Sequence, residues 1–307
     1  MPPERVQAKD RAQKAPRPKP VTTSSSKPKR NVEIADLLKA VDYLAKSNVE
    51  KIYRAYCFSN DAHSGQERLS GEAYIHHPLA VAYILADLQL DERSIIAAIL
   101  HDVIEDTETD RVELVKKFGE DVALLVDGVT KIGQIEFASS EHAEAENFHK
   151  MLLSMSRDIR VILIKLADRI HNMRTLDSLK LDKRRRIAQQ TLEIFAPIAN
   201  RLGLNNWTQE LEDLSFRYLY PKRYDAIQKE LGKSRGNHRT IVDNTLKKVS
   251  EELKKSGIKG NVSGREKNLY RVYRKMQTRH MSLSDLKDVF AIRVIVDNVD
   301  DCYKTLG

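Results

Sequence analysis

Ile95-Ile96-Ala97-Ala98-Ile99-Leu100-His101-Asp102-Val103-Ile104-Glu105-Asp106 is the stretch on which the reading of this chain turns. Six apolar residues without glycine or proline predict a buried helix, and the three- and four-residue spacing extends it over Arg93–Ile104. His101 and Asp102 follow at its polar end, and Glu105 and Asp106 stand one turn further on. Acids clustered beside an apolar core repel one another unless something positive lies among them. A divalent cation answers that requirement, and its other ligands are to be sought elsewhere in the chain. At a helix C-terminus these acids also oppose the helix dipole, which disfavours reading them as ordinary exposed end-of-helix residues.

Working outward, the helical pattern continues over Val49–His63, Pro78–Asp87, Asp158–Met173, Arg184–Asn200 and Trp207–Leu219, with glycine and proline sparse and confined to the breaks. The fold class is mainly α: an all-helical domain of roughly ten helices, followed by the beginning of an α/β domain. After Gly257 the character changes, with strands expected at Ile258–Val262 and Phe290–Val296 around a basic amphipathic helix at Asn268–Thr278. Two strands make no independent core, so a longer natural protein is expected. The polar stretch Gly133–Ala145 reads as a loop near a site. The expected division is a basic disordered tail at 1–31, a helical domain at 32–200, a helical connector at 201–256 and the α/β fragment at 257–307.

Composition sets the class. The chain has 307 residues, 41% apolar and 31% charged, which fits a soluble globular protein. No apolar run approaches the roughly 20 residues of a membrane span, and the basic N-terminus lacks an apolar signal core. Two cysteines, Cys57 and Cys302, make neither a disulfide framework nor a thiolate site, so a reducing cytoplasm is expected. The net charge of +8 is segregated: residues 1–30 hold nine basic side chains against two acids, and 221–283 hold 17 against six. The tail reads as a solvated leader rather than a nucleic-acid arm, and no aromatic stacking array accompanies the later basic segment.

His77, ahead of Pro78 and a helix, and Asp168, at the polar end of the most apolar helix, are the candidate remaining ligands. Imidazole and carboxylate without thiolate suit Mn²⁺, Fe²⁺ or Zn²⁺. Glu105 and Asp106, each four residues beyond a ligand, are placed to act on a water whose pKa a metal lowers. Arg68, before the Ser70-Gly71-Glu72 turn, presents a planar fork that matches phosphate oxygens. Asn172 lies one turn beyond Asp168 on the same face, and Thr175 follows it.

A separated His, a His-Asp pair and a later Asp within helices resemble the HD phosphohydrolase superfamily. More specifically, Arg68-x-Ser-Gly-Glu-x-Tyr-x-x-His-Pro, His101-Asp-Val-Ile-Glu-Asp-Thr107, Ala145-Glu-Asn-Phe148 and Lys165-Leu-Ala-Asp-Arg-Ile-His-Asn-Met-Arg-Thr175 resemble the RelA/SpoT homologue family, and Gly264-Arg265-Glu266-Lys267 is most similar to its SpoT branch. The resemblance runs from about residue 36 to the end. It implies a hydrolase domain dependent on one Mn²⁺, held by His77, His101, Asp102 and Asp168, that removes the 3′-pyrophosphate of ppGpp and pppGpp. Glu105 and Asp106 would be catalytic, and Arg68, Ser70, Asn172 and Thr175 would contact the nucleotide.

Gly264-Arg265-Glu266-Lys267 and Asp288-Val-Phe-Ala-Ile-Arg293 extend the likeness into the family's synthetase domain, where Arg265 and Lys267 would hold ATP phosphates and Asp288 would hold Mg²⁺. The pattern is broken there, since Asn268 and Arg271 stand where the family usually has His and Ser. An inactive synthetase part is therefore expected, and regulatory partners are expected to act through further C-terminal sequence. Smaller departures at Leu69, Ala73 and His149 touch no expected ligand. Two other readings stay open: hydrolysis of a different nucleotide, and alarmone sensing without turnover.

Overall fold

Ser94 through Leu100 are all buried, which makes the opening apolar run the central helix of the protein. The computed structural model describes residues 31–133, 158–266, 268–283 and 290–306, with the backbone alone at 232–243, 265–266 and 290. The expected tail, the loop after Gly133, the Ala145–Phe148 motif, Lys267 and Asp288 lie outside the described residues.

The helices of the first part are α1 (Ile34–Ala40), α2 (Lys46–Ala62), α3 (His76–Ala86), α4 (Glu92–Leu100), α5 (Val103–Asp106), α6 (Arg111–Phe118), α7 (Glu120–Gly133) and α8 (Ile159–Arg174). α4 packs on α2, α3, α7 and α8. Its Ile95, Ile99 and Leu100 join Leu79, Val81 and Leu85 of α3 and Ile162, Ile164, Leu166 and Ile170 of α8 in one core. Each such side chain contributes about 1.5–3 kcal/mol on leaving water. α7 closes on α8 at Gly128, where an added Cβ would lie 2.8 Å from Val161 Cγ2.

α4 stops at Leu100, so the helix expected over Arg93–Ile104 is two pieces. His101 Nδ1 donates to the Ala98 carbonyl at 2.8 Å, and Asp102 turns to φ −97° before α5 begins. Glu105 and Asp106 thus belong to the first turn of a new short helix. The dipole argument against their being ordinary exposed acids does not apply.

The chain continues through α9 (Leu181–Gln190), a π turn (Thr191–Phe195), α10 (Ala196–Arg201), α11 (Asn205–Leu219) and α12 (Pro221–Lys255). The helix expected over Arg184–Asn200 is present but carries the π turn in its middle. Then come β1 (Gly260–Glu266), α13 (Leu269–Arg279), β2 (Phe290–Val296) and α14 (Val299–Leu306). β1 pairs antiparallel with β2 from Gly260↔Val296 to Glu266↔Phe290. It begins later than expected because Ile258 is buried against the end of α12, its N–H bonded to the Leu253 carbonyl at 2.9 Å.

α13 is fixed to α11 by a cluster of polar bonds. Glu212 Oε2 accepts from Asn268 Nδ2 at 2.8 Å and from Arg271 Nε at 2.9 Å, and Asp213 Oδ1 accepts from the Tyr270 N–H at 3.0 Å. A second core of Phe216, Ile227, Leu231 and Val272 lies beside these bonds. In it the Phe216 and Tyr273 rings stack at 4.8 Å.

Burial pushes the Asp213 carboxyl up from 3.8 to about 6. Because the folded pKa is raised, its favourable contribution is complete below about 3.8 and is lost as pH rises through 6. Asp213→Asn keeps an oxygen for the Tyr270 N–H. It is expected to raise Tm by a few degrees at pH 8, with the gain shrinking as pH falls toward 4; calorimetry across that range checks it.

Candidate metal centre and active site

Three elements converge on one buried point. His77 enters from the first turn of α3, His101 from the end of α4 and Asp168 from α8. Each offers one ligand atom, all within 4.8 Å of one another, and all three residues are buried. His77 Nε2 is 3.3 Å and His101 Nε2 is 3.9 Å from Asp168 Oδ1. Asp102 stands beside them, 3.1 Å from His101 Nε2 and 3.4 Å from His77 Nε2.

The backbone and neighbouring rings fix both imidazoles. A carbonyl only accepts, so the His101 Nδ1–H points at Ala98 and Nε2 faces the pocket. His171 Nδ1 lies 2.7 Å from His77 Nδ1 and 3.2 Å from Arg68 Nη1. Burial, then the neighbouring His77 and Arg68, hold His171 far below its ordinary pKa. Arg68 can only donate, so the single Nδ1 lone pair of neutral His171 is an acceptor shared between Arg68 and the His77 Nδ1–H, which leaves His77 Nε2 free toward the same point. This outer acceptor orients a ligating imidazole in the way a carboxylate or carbonyl commonly does.

His101 Nε2 is fully buried and makes no hydrogen bond, its near neighbours being the carboxylate oxygens of Asp102 at 3.1 Å and Asp168 at 3.9 Å. Buried polar atoms are rarely left unpaired, and an imidazole nitrogen facing a carboxylate fits a divalent cation. Burial works against the His101 imidazolium, but Asp102, and Asp168 behind it, lift its pKa to about 9. A cation entering here competes with that proton.

Asp168 is bound on both oxygens. Lys165 Nζ lies 2.8 Å from Oδ2, and Asn172 Nδ2 donates to Oδ1 at 2.5 Å. Burial opposes ionisation of Asp168, yet Lys165 and the histidines hold its carboxyl well below the usual range; Asp102 is likewise held down by His101. Burial raises Glu105 against the pull of Lys165. Tyr74 joins the two acid pairs, its hydroxyl lying 2.7 Å from Asp102 Oδ2 and 2.6 Å from Asp106 Oδ2. Burial, then the Asp102 charge, raises Tyr74 and keeps it protonated.

Arg68 reaches the rim from a tight turn. Gly71, at φ +80°, allows the turn that bonds Arg68 N to the Glu72 carbonyl at 2.9 Å. The guanidinium donates to Asn172 Oδ1 at 2.6 Å and to Thr175 Oγ1 at 3.4 Å. Of the four expected substrate contacts, Arg68, Asn172 and Thr175 are brought together. Ser70 is exposed in the turn, with its hydroxyl 3.4 Å from Glu72. Arg265 lies in β1.

The sequence reading passed over Lys165, His171 and Tyr74. Lys165 and His171 stand three residues before and after Asp168, so helical spacing places all three on one face. Tyr74 precedes its helix, and no periodicity marks it.

The fold and this convergence define an HD domain. Residues 55–205 match the model of the HD domain family, and residues 264–307 match that of the region found in RelA / SpoT proteins. A guanosine-3′,5′-bis(diphosphate) 3′-pyrophosphohydrolase of Haemophilus influenzae is 51% identical over 249 residues, 81% of this chain and 37% of its own length. The bifunctional (p)ppGpp synthase/hydrolase SpoT of Escherichia coli is 49% identical over 265 residues, 86% of this chain and 38% of its own. A GTP pyrophosphokinase of Myxococcus xanthus is 46% identical over 268 residues, 86% of this chain and 35% of its own. The chain belongs to the RelA/SpoT homologue family. It spans little more than a third of the length of these curated relatives.

His171→Phe removes the acceptor that orients His77 and is expected to weaken divalent-cation binding by about 10–100-fold. Titration with Mn²⁺ followed by electron paramagnetic resonance measures this directly.

Proposed function

We propose that this chain is a Mn²⁺-dependent 3′-pyrophosphohydrolase of ppGpp and pppGpp, releasing pyrophosphate and GDP or GTP. The observation that carries the proposal is the unpaired, fully buried His101 Nε2 beside His77 and Asp168, with the Asp106 carboxylate one turn away. The nucleotide is taken from the names of the relatives from Haemophilus influenzae and Escherichia coli.

His77, His101 and Asp168, with Asp102 beside them, would hold the cation. It supplies Lewis acidity and a nucleophilic water near neutral pH. The chain's own groups do the rest. Asp106, exposed and anchored by Tyr74, takes the proton of the attacking water. The water oxygen joins the phosphorus nearest the sugar, and the 3′ oxygen leaves and needs a proton. Glu105, whose carboxyl burial raises, is suited to carry that proton. Arg68, already held by Asn172 and Thr175, binds the diphosphate oxygens through its planar fork.

The same reading assigns hydrolysis to 32–200, connection to 201–256 and a synthetase-like part without activity to 257–307. Asn268 and Arg271, the departures from the family pattern, are both bonded to Glu212, which supports that assignment. The reading takes the reaction to run in a reducing cytoplasm, on the two isolated cysteines alone. Among the described residues no helix is long and apolar enough to cross a membrane.

Separation of nucleotides after incubation with ppGpp is the test. Turnover is expected with Mn²⁺, none with chelator, and a loss of at least about a hundredfold in His101→Ala. Equal or faster turnover of dGTP would replace the proposed substrate, and no turnover of either with Mn²⁺ would overturn the reading.

A further inference from the structure

We infer that the Tyr74 hydroxyl is the positioning group that sets Asp106 against Asp102, and with it the geometry between the proton acceptor and the cation site. The inference rests on the hydrolase reading above. Asp102 and Asp106 lie one helical turn apart, and their carboxylates repel. The hydroxyl stands between them, 2.7 Å from one and 2.6 Å from the other.

The two carboxylates depend on it unequally. Asp102 is also held beside the His101 and His77 rings, at 3.1 and 3.4 Å. Asp106 is exposed, and among the described hydrogen bonds its carboxylate has only Tyr74 as partner. Solvent-exposed aspartates ordinarily sample several rotamers. A group that must accept a proton at one place needs that freedom removed.

The surroundings hold Tyr74 itself firmly. Its ring stacks on His63 at a centroid distance of 4.5 Å and an angle of 20°, and meets His77 edge-on at 6.1 Å. His63 Nδ1 is 2.8 Å from Gln66 Oε1, and Gln66 Nε2 donates to the Asp106 carbonyl at 2.9 Å. The same short chain of contacts therefore holds the backbone and the side chain of Asp106. The hydroxyl has one proton for two acceptors, so it donates to one carboxylate at a time while keeping both at hydrogen-bond distance.

Tyr74→Phe keeps both ring contacts and removes the oxygen, so the fold is retained and Tm monitors that. Three measurements on the variant decide the matter. First, kcat on ppGpp at saturating Mn²⁺ is expected to fall tenfold or more with KM unchanged. Second, Mn²⁺ affinity, titrated without substrate, is expected to weaken up to about tenfold through Asp102. Third, in an Asp106→Asn background under single-turnover conditions, adding Tyr74→Phe is expected to cause no further loss, since both changes disable one unit.

Unchanged kcat at saturating metal, or losses that multiply in the double variant, would overturn the role assigned to Tyr74 while leaving the hydrolase reading intact. Unchanged Mn²⁺ affinity would overturn the Asp102 half of the inference. A wild-type protein that does not turn over ppGpp would overturn the reading and the inference with it. A Tm loss with kcat retained would make Tyr74 a merely structural residue, against the inference.

Discussion

A charged carboxylate buried among isoleucines and leucines has to be neutralised where it stands, and Asp168 is that carboxylate. Only 5% of it is exposed, in a helix otherwise devoted to the core. An isolated ion there would be strongly unfavourable. Lys165 binds one oxygen, while Asn172 and the His77 ring face the other. Helical spacing makes this possible, because Val161, Lys165, Asp168, Asn172 and Thr175 recur at intervals of three and four. One face of α8 thus runs from hydrophobic core through the candidate metal ligand to the residues that hold Arg68.

How much of this could be read from the chain varies with the physics behind each feature. The helical fold and the candidate ligands His77, His101 and Asp168, which the structure brings together, were legible because long apolar periodicity and unusual residue pairs are local signals. The break at His101 was harder, since it depends on a side chain bonding back to the Ala98 carbonyl and on no glycine or proline. Ser70 was singled out by its place in a motif, and its hydroxyl lies exposed beside Glu72. Tyr74 escaped because its partners lie 28 and 32 residues away, and nothing in its neighbourhood marks a bridge between two acids.

The second part of the chain is attached by different means. Phe216, Tyr220, Tyr224, Tyr270 and Tyr273 form an aromatic cluster that spans α11, α12 and α13. Glu212 closes its edge by accepting from Asn268 and Arg271 together. Two residues that depart from the expected synthetase pattern thus have clear structural work. α13 is packed as an extension of the helical domain, and β1 packs against α12. Arg169, next to Asp168, lies 4.0 Å from the Phe195 ring in the π turn, so the ligand-bearing helix also touches the segment that leads into α11.

Gly128 adds something the polar groups do not. It has no Cβ, and the Val161 side chain fills the space one would occupy, its Cγ2 2.8 Å from where that carbon would stand. Val161 lies one turn before Lys165 and two before Asp168, on their face of the helix. The separation of α7 from the helix that bears the metal ligand is therefore gauged by a single hydrogen atom. A methyl group at this point would act as a shim between the helices, and Val161 or its helix would have to shift. The tolerance here is kept by a residue with no chemistry of its own.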